Sequence, residues 1–329
     1  MRLKITAAFF GGNMKAIIWY VIPCYNEQEV IEETATRLVS FVQSMIASEK
    51  ISEKSRILFV DDGSADLTWH KICTLSKNNP IICALKLSAN RGHQNALLAG
   101  LMTARKYADA AISMDADLQD DICASKKMIE CFYEGNEIVY GVRKSRKTDT
   151  FFKRITAQLF YKAMKLLGTN VIYNHADYRL MGKKALNALS EYKEVNLFLR
   201  GIVPQLGFKC SSVEYDRGER FAGKSKYPFR KMLSFASEGI TSFSIRPIKI
   251  AGFFGSVSIL VSIIMLIYCI YEKFAGRTVP GWSSLGASIW AVGGIQLFII
   301  GIIGEYIGKI YFETKQRPRY TIDEEINLN

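Results

Sequence analysis

The chain has no C-x-x-C pair, although seven cysteines are spread over its 329 residues. Cys24, Cys73, Cys83, Cys123, Cys131, Cys210 and Cys269 sit mostly in apolar runs, the pattern of reduced, buried thiols in a cytosolic compartment. That spacing argues against a disulfide framework or a zinc site. No G-x-G-x-x-G follows a predicted strand and no G-x-x-x-x-G-K-[ST] occurs, so the usual glycine cradles for dinucleotides and triphosphates are missing. Solenoid-period repeats, low-complexity stretches and base-reading nucleic-acid motifs are absent as well. The opening "MRLKITAAFFGG" holds too short an apolar stretch for a signal peptide. Residues 1–15 therefore read as an N-terminal extension, with Met14 as an alternative start.

What is present begins with charge. The net charge is +12, and ten of the basic residues lie between Arg200 and Lys249, opposed only by Glu214, Asp216, Glu219 and Glu238. This segment directly precedes the most hydrophobic part of the chain, which favours anionic lipid headgroups over nucleic acid. Ile250–Tyr271 and Gly281–Gly304 carry no charge. Both are long enough for a helix to cross about 30 Å of hydrocarbon, so both read as transmembrane. Gly293, Gly294, Gly301 and Gly304 permit close helix approach, compatible with a homo-oligomer. Basic residues cluster at the outer ends of the two spans, which places the large amino-terminal part and the tail in the cytoplasm. Tyr227–Pro247 mixes apolar and basic residues and suits helices lying in the headgroup layer. The expected division is a cytoplasmic domain over 16–226, interfacial helices over 227–248, spans within 249–308 and a tail over 309–329.

Within the cytoplasmic part, apolar β-rich runs alternate with helical patterns. Strands are expected over Ala16–Ile22, Arg56–Val60, Ile81–Leu87, Ala110–Met114 and Glu137–Gly141, with helices over Glu29–Ala47, Asp66–Lys77 and Gln94–Tyr107. This alternation predicts an open, mostly parallel α/β sheet covered on both faces. Asp66 suits the N-cap of the second helix.

Four polar clusters follow the first four strands: "CYNE" (Cys24–Glu27), "DDGS" (Asp61–Ser64), "NRGH" (Asn90–His93) and "DADLQD" (Asp115–Asp120). Each alone is ordinary turn material, but strand ends of one parallel sheet share a rim, and that rim binds ligands in open α/β folds. Asp115 and Asp117, two apart on an extended segment, point to the same side. With Gln119 they form an oxygen set suited to Mg²⁺ or Mn²⁺ shared with a substrate diphosphate. The isolated His93 and His175 read as hydrogen-bonding residues rather than metal ligands.

The ordered set "VIPCYNE", "FVDDGSADLT", "LSANRGHQNALLAG" and "MDADLQDD" resembles family-two inverting glycosyltransferases of the GT-A fold. The later "GVRKSR", "DYRLM", "RGIVPQLGF" and "ERFAGKSKYPFRKML", with two carboxyl-terminal spans, narrow the resemblance to polyprenyl-phosphate glycosyltransferases. These include bactoprenol glucosyltransferases and dolichyl-phosphate mannose synthase. It covers the chain from about Ala16 to the tail and implies a Rossmann-like GT-A domain, a nucleotide-sugar donor and a polyprenyl phosphate acceptor in the membrane. By similarity Pro23, Tyr25, Glu27 and Asp62 line the nucleoside pocket, and Asp115, Asp117 and Gln119 match the metal and diphosphate motif. Arg143 and Arg154 fall where the family presents basic residues to the acceptor phosphate, and Asp177 is the usual candidate base. The family's serine one helical turn after Arg154 is Gln158 here, and "DLQDPPE" is "DLQDDIC".

The resemblance implies attack by a lipid phosphate oxygen, which is already anionic and needs no strong base. An orienting or sugar-binding role therefore suits Asp177 as well as a basic one. Arg143, Arg154 and the basic segment with Arg217, Arg220 and Lys226 can screen the acceptor while a metal screens the donor. UDP-glucose and undecaprenyl phosphate are the expected substrates. GDP-mannose, UDP-N-acetylglucosamine and UDP-galactose are alternative donors. A processive polysaccharide synthase would carry a Q-x-x-R-W motif, which is lacking, and an inactive nucleotide-binding partner would not need the intact aspartates.

Overall fold

The first strand, β1 (Ile18–Cys24), is buried at every position, as a strand covered on both faces must be. In the computed structural model, which describes residues 15–144, 175–195, 197–216, 218, 246–275 and 281–328, it lies at the centre of an eight-stranded sheet. It pairs in parallel with β2 (Arg56–Asp61) and with β4 (Ala110–Ser113), and β2 pairs in parallel with β3 (Ile82–Leu87). The connecting helices are α1 (Ile31–Ala47), α2 (Thr68–Asn78) and α3 (His93–Tyr107). On α1, Ile31, Ala35, Leu38 and Val42 recur at helical spacing and turn one apolar face to the sheet. On α3, a Cβ added at Gly100 would come within 2.3 Å of a Val21 methyl, so that helix sits directly on β1. These seven elements match their expected ranges to within two residues. Asp66 caps α2 from one position further out than expected: Leu67 holds the N-cap place, and Asp66 Oδ1 accepts the Thr68 amide at 3.0 Å.

The other half of the sheet departs from the parallel expectation. Its strands are β5 (Ile138–Arg143), β6 (His175–Gly182) and β7 (Cys210–Tyr215), and the full order is β7-β5-β6-β4-β1-β2-β3-β8. Strand β6 is antiparallel to both β4 and β5, and β7 is parallel to β5. The sheet is therefore mixed. Burial dictates which residues are apolar but carries no sign of strand direction. Strand β6 escapes a hydrophobicity pattern because "HADYRLMG" contains Asp177 and Arg179, buried against one another. Helices α4 (Ala124–Tyr133), α5 (Lys183–Glu191) and α6 (Leu199–Gln205) complete this part.

The end of the chain returns to the sheet. Strand β8 (Ile322–Ile326), within the segment expected as a tail, pairs antiparallel with β3. Lys86 of β3 holds it through Glu324 at 2.7 Å and Asp323 at 3.3 Å. "IDEEI" does not read as a strand because only its two isoleucines face protein.

Two units divide the chain, one with the sheet and its helices, the other with α7 (Arg246–Phe274) and α8 (Trp282–Lys315). Among the described residues one stretch, Ala291–Lys315, is long and apolar enough to cross a membrane, and its apolar side chains are exposed. The interfacial helices expected over 227–248 lie outside the described residues, apart from the first turn of α7.

Candidate active site

The four polar clusters do meet on one rim, because β1 to β4 are parallel and each cluster follows a carboxyl end. Hydrogen bonds interlock them. Ser64 Oγ accepts the Asn26 amide at 3.0 Å, and Asn26 Oδ1 accepts the Ala65 amide at 2.9 Å. Asp62 is engaged through both oxygens by the amides of Arg91 (2.7 Å) and Gly92 (2.9 Å), so it ties the second cluster to the third. Gly63 has φ +66°, and a Cβ there would lie 2.8 Å from the Ala89–Asn90 backbone. Only glycine permits that approach. Asp61 is fully buried, accepts the Ser64 amide at 3.2 Å, and leaves Oδ1 without a hydrogen bond.

The fourth cluster is pinned from several sides. Thr34 of α1 donates to the Ala116 carbonyl at 2.8 Å, Tyr178 Oη donates to the Asp121 carbonyl at 2.9 Å, and the Gly218 amide donates to the Gln119 carbonyl at 2.9 Å. Leu118 adopts φ +57°, a left-handed conformation that costs a leucine roughly 1 kcal/mol. Strain held this firmly belongs to sites where geometry matters. Asp117 accepts the Gln119 amide at 3.2 Å, while Asp115 Oδ1 meets His93 Nε2 at 3.1 Å. Burial works against ionisation of Asp115, but the hydrogen bond and charge of His93, with a smaller contribution from Arg200, hold its carboxyl below the usual range. Among the described residues no group of three His, Cys, Asp or Glu is placed to hold a metal. The set is two carboxylates and an amide, all hard oxygen donors, which fits Mg²⁺ or Mn²⁺ completed by substrate phosphates.

Arginines enter from the other half of the sheet. Asp177 Oδ1 accepts Arg179 Nη2 at 2.7 Å, and Arg200 grips the same carboxylate through Nε at 3.1 Å and Nη2 at 2.9 Å. Burial alone would raise the Asp177 carboxyl, but Arg200 and Arg179, helped by His93, hold it far below the usual range. A carboxylate so stabilised is a poor proton acceptor. A second pairing lies beside it. Tyr215 Oη donates to Asp120 Oδ1 at 2.6 Å, Arg143 Nε donates to Tyr215 Oη at 3.2 Å, and Arg143 Nη2 lies 3.6 Å from Asp120. Burial and the charge of Asp115 push the Asp120 carboxyl up to about 6 against these two partners.

The residues expected at the site thus fall into four groups. Asp115, Asp117, Gln119 and Asp62 gather on the rim, and Arg143 and Asp177 are each tied into buried polar networks. Pro23 is buried within β1 opposite Val60, Tyr25 stands 41% exposed just beyond it, and the Glu27 amide donates to Thr68 Oγ1 at 2.9 Å. Arg154, Arg217, Arg220 and Lys226 lie outside the described residues. His93 hydrogen-bonds as expected, while Asp61, Asp120, Arg179, Arg200 and Tyr215 carry no role in the sequence reading. For Arg200, position inside "RGIVPQLGF" was the available signal.

Comparison with known proteins places the chain in a family. The model of the family described as glycosyl transferase family 2 matches residues 19–190. An uncharacterized glycosyltransferase of Bacillus subtilis (strain 168), YkoT, is 55% identical, covering 93% of this chain and 91% of that one. The bactoprenol glucosyl transferase of Shigella phage SfX is 38% identical, covering 92% of this chain and 97% of that one. A solved mannosyltransferase of Pyrobaculum calidifontis in complex with GDP-mannose and Mn²⁺ is 14% identical over 89% of this chain and 88% of that one. Its TM-score is 0.43. The chain belongs to glycosyl transferase family 2 and is a glycosyltransferase.

Proposed function

We propose that the enzyme transfers glucose from UDP-glucose to a polyprenyl phosphate at the cytoplasmic face of a membrane, with inversion at the anomeric carbon. The observation that carries this reading is the charge layout of the rim: acids with hard oxygen donors on one side, arginines held by buried carboxylates on the other. A phosphate nucleophile fits that layout. It arrives ionised, so the site needs no strong base, and Asp177 is built not to be one. The energetic problem is instead to bring two anions together, which favours fixed positive groups. The similarity to bactoprenol glucosyl transferases supports glucose and the lipid acceptor.

Asp115, Asp117 and Gln119 would hold a divalent cation, which when bound supplies Lewis-acid stabilisation of the departing diphosphate. His93 fixes the Asp115 carboxylate, and the pinned 115–121 loop keeps its neighbours in place. Arg143, steadied by Asp120 and Tyr215, is assigned to the acceptor phosphate, with Arg154, Arg217, Arg220 and Lys226 as further basic groups. Pro23, Tyr25, Glu27 and Asp62 are assigned to the nucleoside end.

Two membrane spans, α7 and α8, belong to the same proposal. The chain leaves the sheet after β7 and rejoins it at β8. A chain that leaves one sheet and returns to it would cross a bilayer an even number of times, which supports a pair of spans over a single one. The test is transfer of radiolabel from UDP-glucose, in membranes, to an organic-extractable, mild-acid-labile lipid dependent on added polyprenyl phosphate and divalent metal. Label in a long water-soluble polymer, or in no product with any nucleotide sugar, would overturn it.

A further inference from the structure

The Asp177 network brings two guanidiniums to one carboxylate. Arg179 is 1% exposed and already meets Asp177 at 2.7 Å, which neutralises the buried carboxylate. Arg200 then adds a second guanidinium to the same group, and its side chain, unlike the other two, is about a third exposed. The three residues together carry one net positive charge.

The position of Arg200 is set from both ends. The backbone just before it is fastened on two sides: the Leu199 amide donates to Gln94 Oε1 at 3.1 Å, and the Leu199 carbonyl accepts Arg179 Nη1 at 3.3 Å. Its guanidinium is gripped through two nitrogens by both oxygens of Asp177. Gln94 follows His93, which meets Asp115, so the same short stretch of α3 orients a metal-site acid and anchors the arginine. A fixed, planar and partly exposed guanidinium is suited to phosphate oxygens, because little of its freedom is left to lose on binding.

We propose that Arg200 binds a phosphate oxygen of a substrate during sugar transfer, and that Asp177 is a positioning residue that aims the Arg200 guanidinium. This rests on the reading that the reaction joins a nucleoside diphosphate sugar to a phosphate-bearing acceptor. Either phosphate offers the same chemistry, and the experiment separates them.

The full-length chain in lipid nanodiscs is compared with Arg200→Gln, Arg200→Lys, Asp177→Asn and the Arg200→Gln/Asp177→Asn double variant. Arg200→Gln keeps donors for Asp177 and preserves the fold while removing the charge. It is expected to lower kcat/KM by on the order of 100-fold with the unfolding midpoint nearly unchanged, and Arg200→Lys to restore little of it, because an ammonium lacks the fork. Weakened binding of UDP with Mn²⁺ assigns Arg200 to the donor diphosphate. A raised KM for polyprenyl phosphate with UDP binding intact assigns it to the acceptor. Asp177→Asn should move the same constant as Arg200→Gln, and the double variant should be no worse than Arg200→Gln alone. Arg200→Gln with rates and both affinities within about twofold of the parent would overturn the proposal. So would multiplicative losses in the double variant, which would give Asp177 a role of its own. Should the parent chain transfer no sugar to lipid, the proposed function falls by itself. Equilibrium binding of UDP–Mn²⁺ and of polyprenyl phosphate to parent and Arg200→Gln then decides this inference without turnover.

Discussion

The two halves of the sheet bring opposite charges to one rim. On the parallel half, carboxylates are answered by backbone amides and a histidine: Asp62 by Arg91 and Gly92, Asp117 by Gln119, Asp115 by His93. On the mixed half, Asp177 is answered by guanidiniums. The distinction is electrostatic. An amide stabilises a carboxylate without cancelling its charge, whereas an arginine cancels it, and two arginines reverse it. One half therefore gathers negative charge and the other positive, and the transfer between two anions proposed above would use both, a cation on the first half and a phosphate on the second.

The largest expected effect comes from erasing the cation side. Asp115→Asn with Asp117→Asn should cut sugar transfer by on the order of a thousandfold, and the residual rate should no longer respond to chelator. Initial rates with and without EDTA check this, and full turnover in chelator would erase the contrast between the halves. On the arginine side, Arg179→Leu leaves the buried Asp177 with one partner and should destabilise the enzyme by about 3 kcal/mol in thermal unfolding. A loss below about 1 kcal/mol would mean that Arg200 alone suffices as counter-ion.

The same carboxylate has a pH signature. Its folded form is held far below the ordinary aspartate value of about 3.9, so its contribution to stability is complete above that value and is lost progressively as pH falls from there toward the lower folded value. The stability gap between the parent and Asp177→Asn should be flat from about pH 5 to 8 and close below about pH 4, as read by unfolding midpoints. Smallest is Asp66→Ala, which removes a cap from α2 and should cost about 1 kcal/mol while leaving kcat nearly unchanged.

The amino-terminal half was legible because its physics is local. Apolar strands buried on both faces, amphipathic α1, and polar residues at each strand end are all written in neighbouring positions, and parallel order follows from strand–helix alternation. The acid cluster at the end of β4, Asp115–Asp120, was legible for the same reason. The mixed half was not. Strand β6 hides behind Asp177 and Arg179, whose charges are tolerable inside the sheet only because each finds the other and Arg200, twenty-one residues away in the chain, completes the set. Strand β8 is polar by composition and becomes a strand only by pairing with β3. Whether an aspartate acts as a metal ligand, a base or a counter-ion depends on which partner lies within about 3 Å of it. Sequence by itself determined the family, the rim and its acids, since these rest on short-range pattern. Tertiary structure alone decided that Asp177 serves the arginines, because that pairing is made by residues that meet only when β6 and α6 pack together.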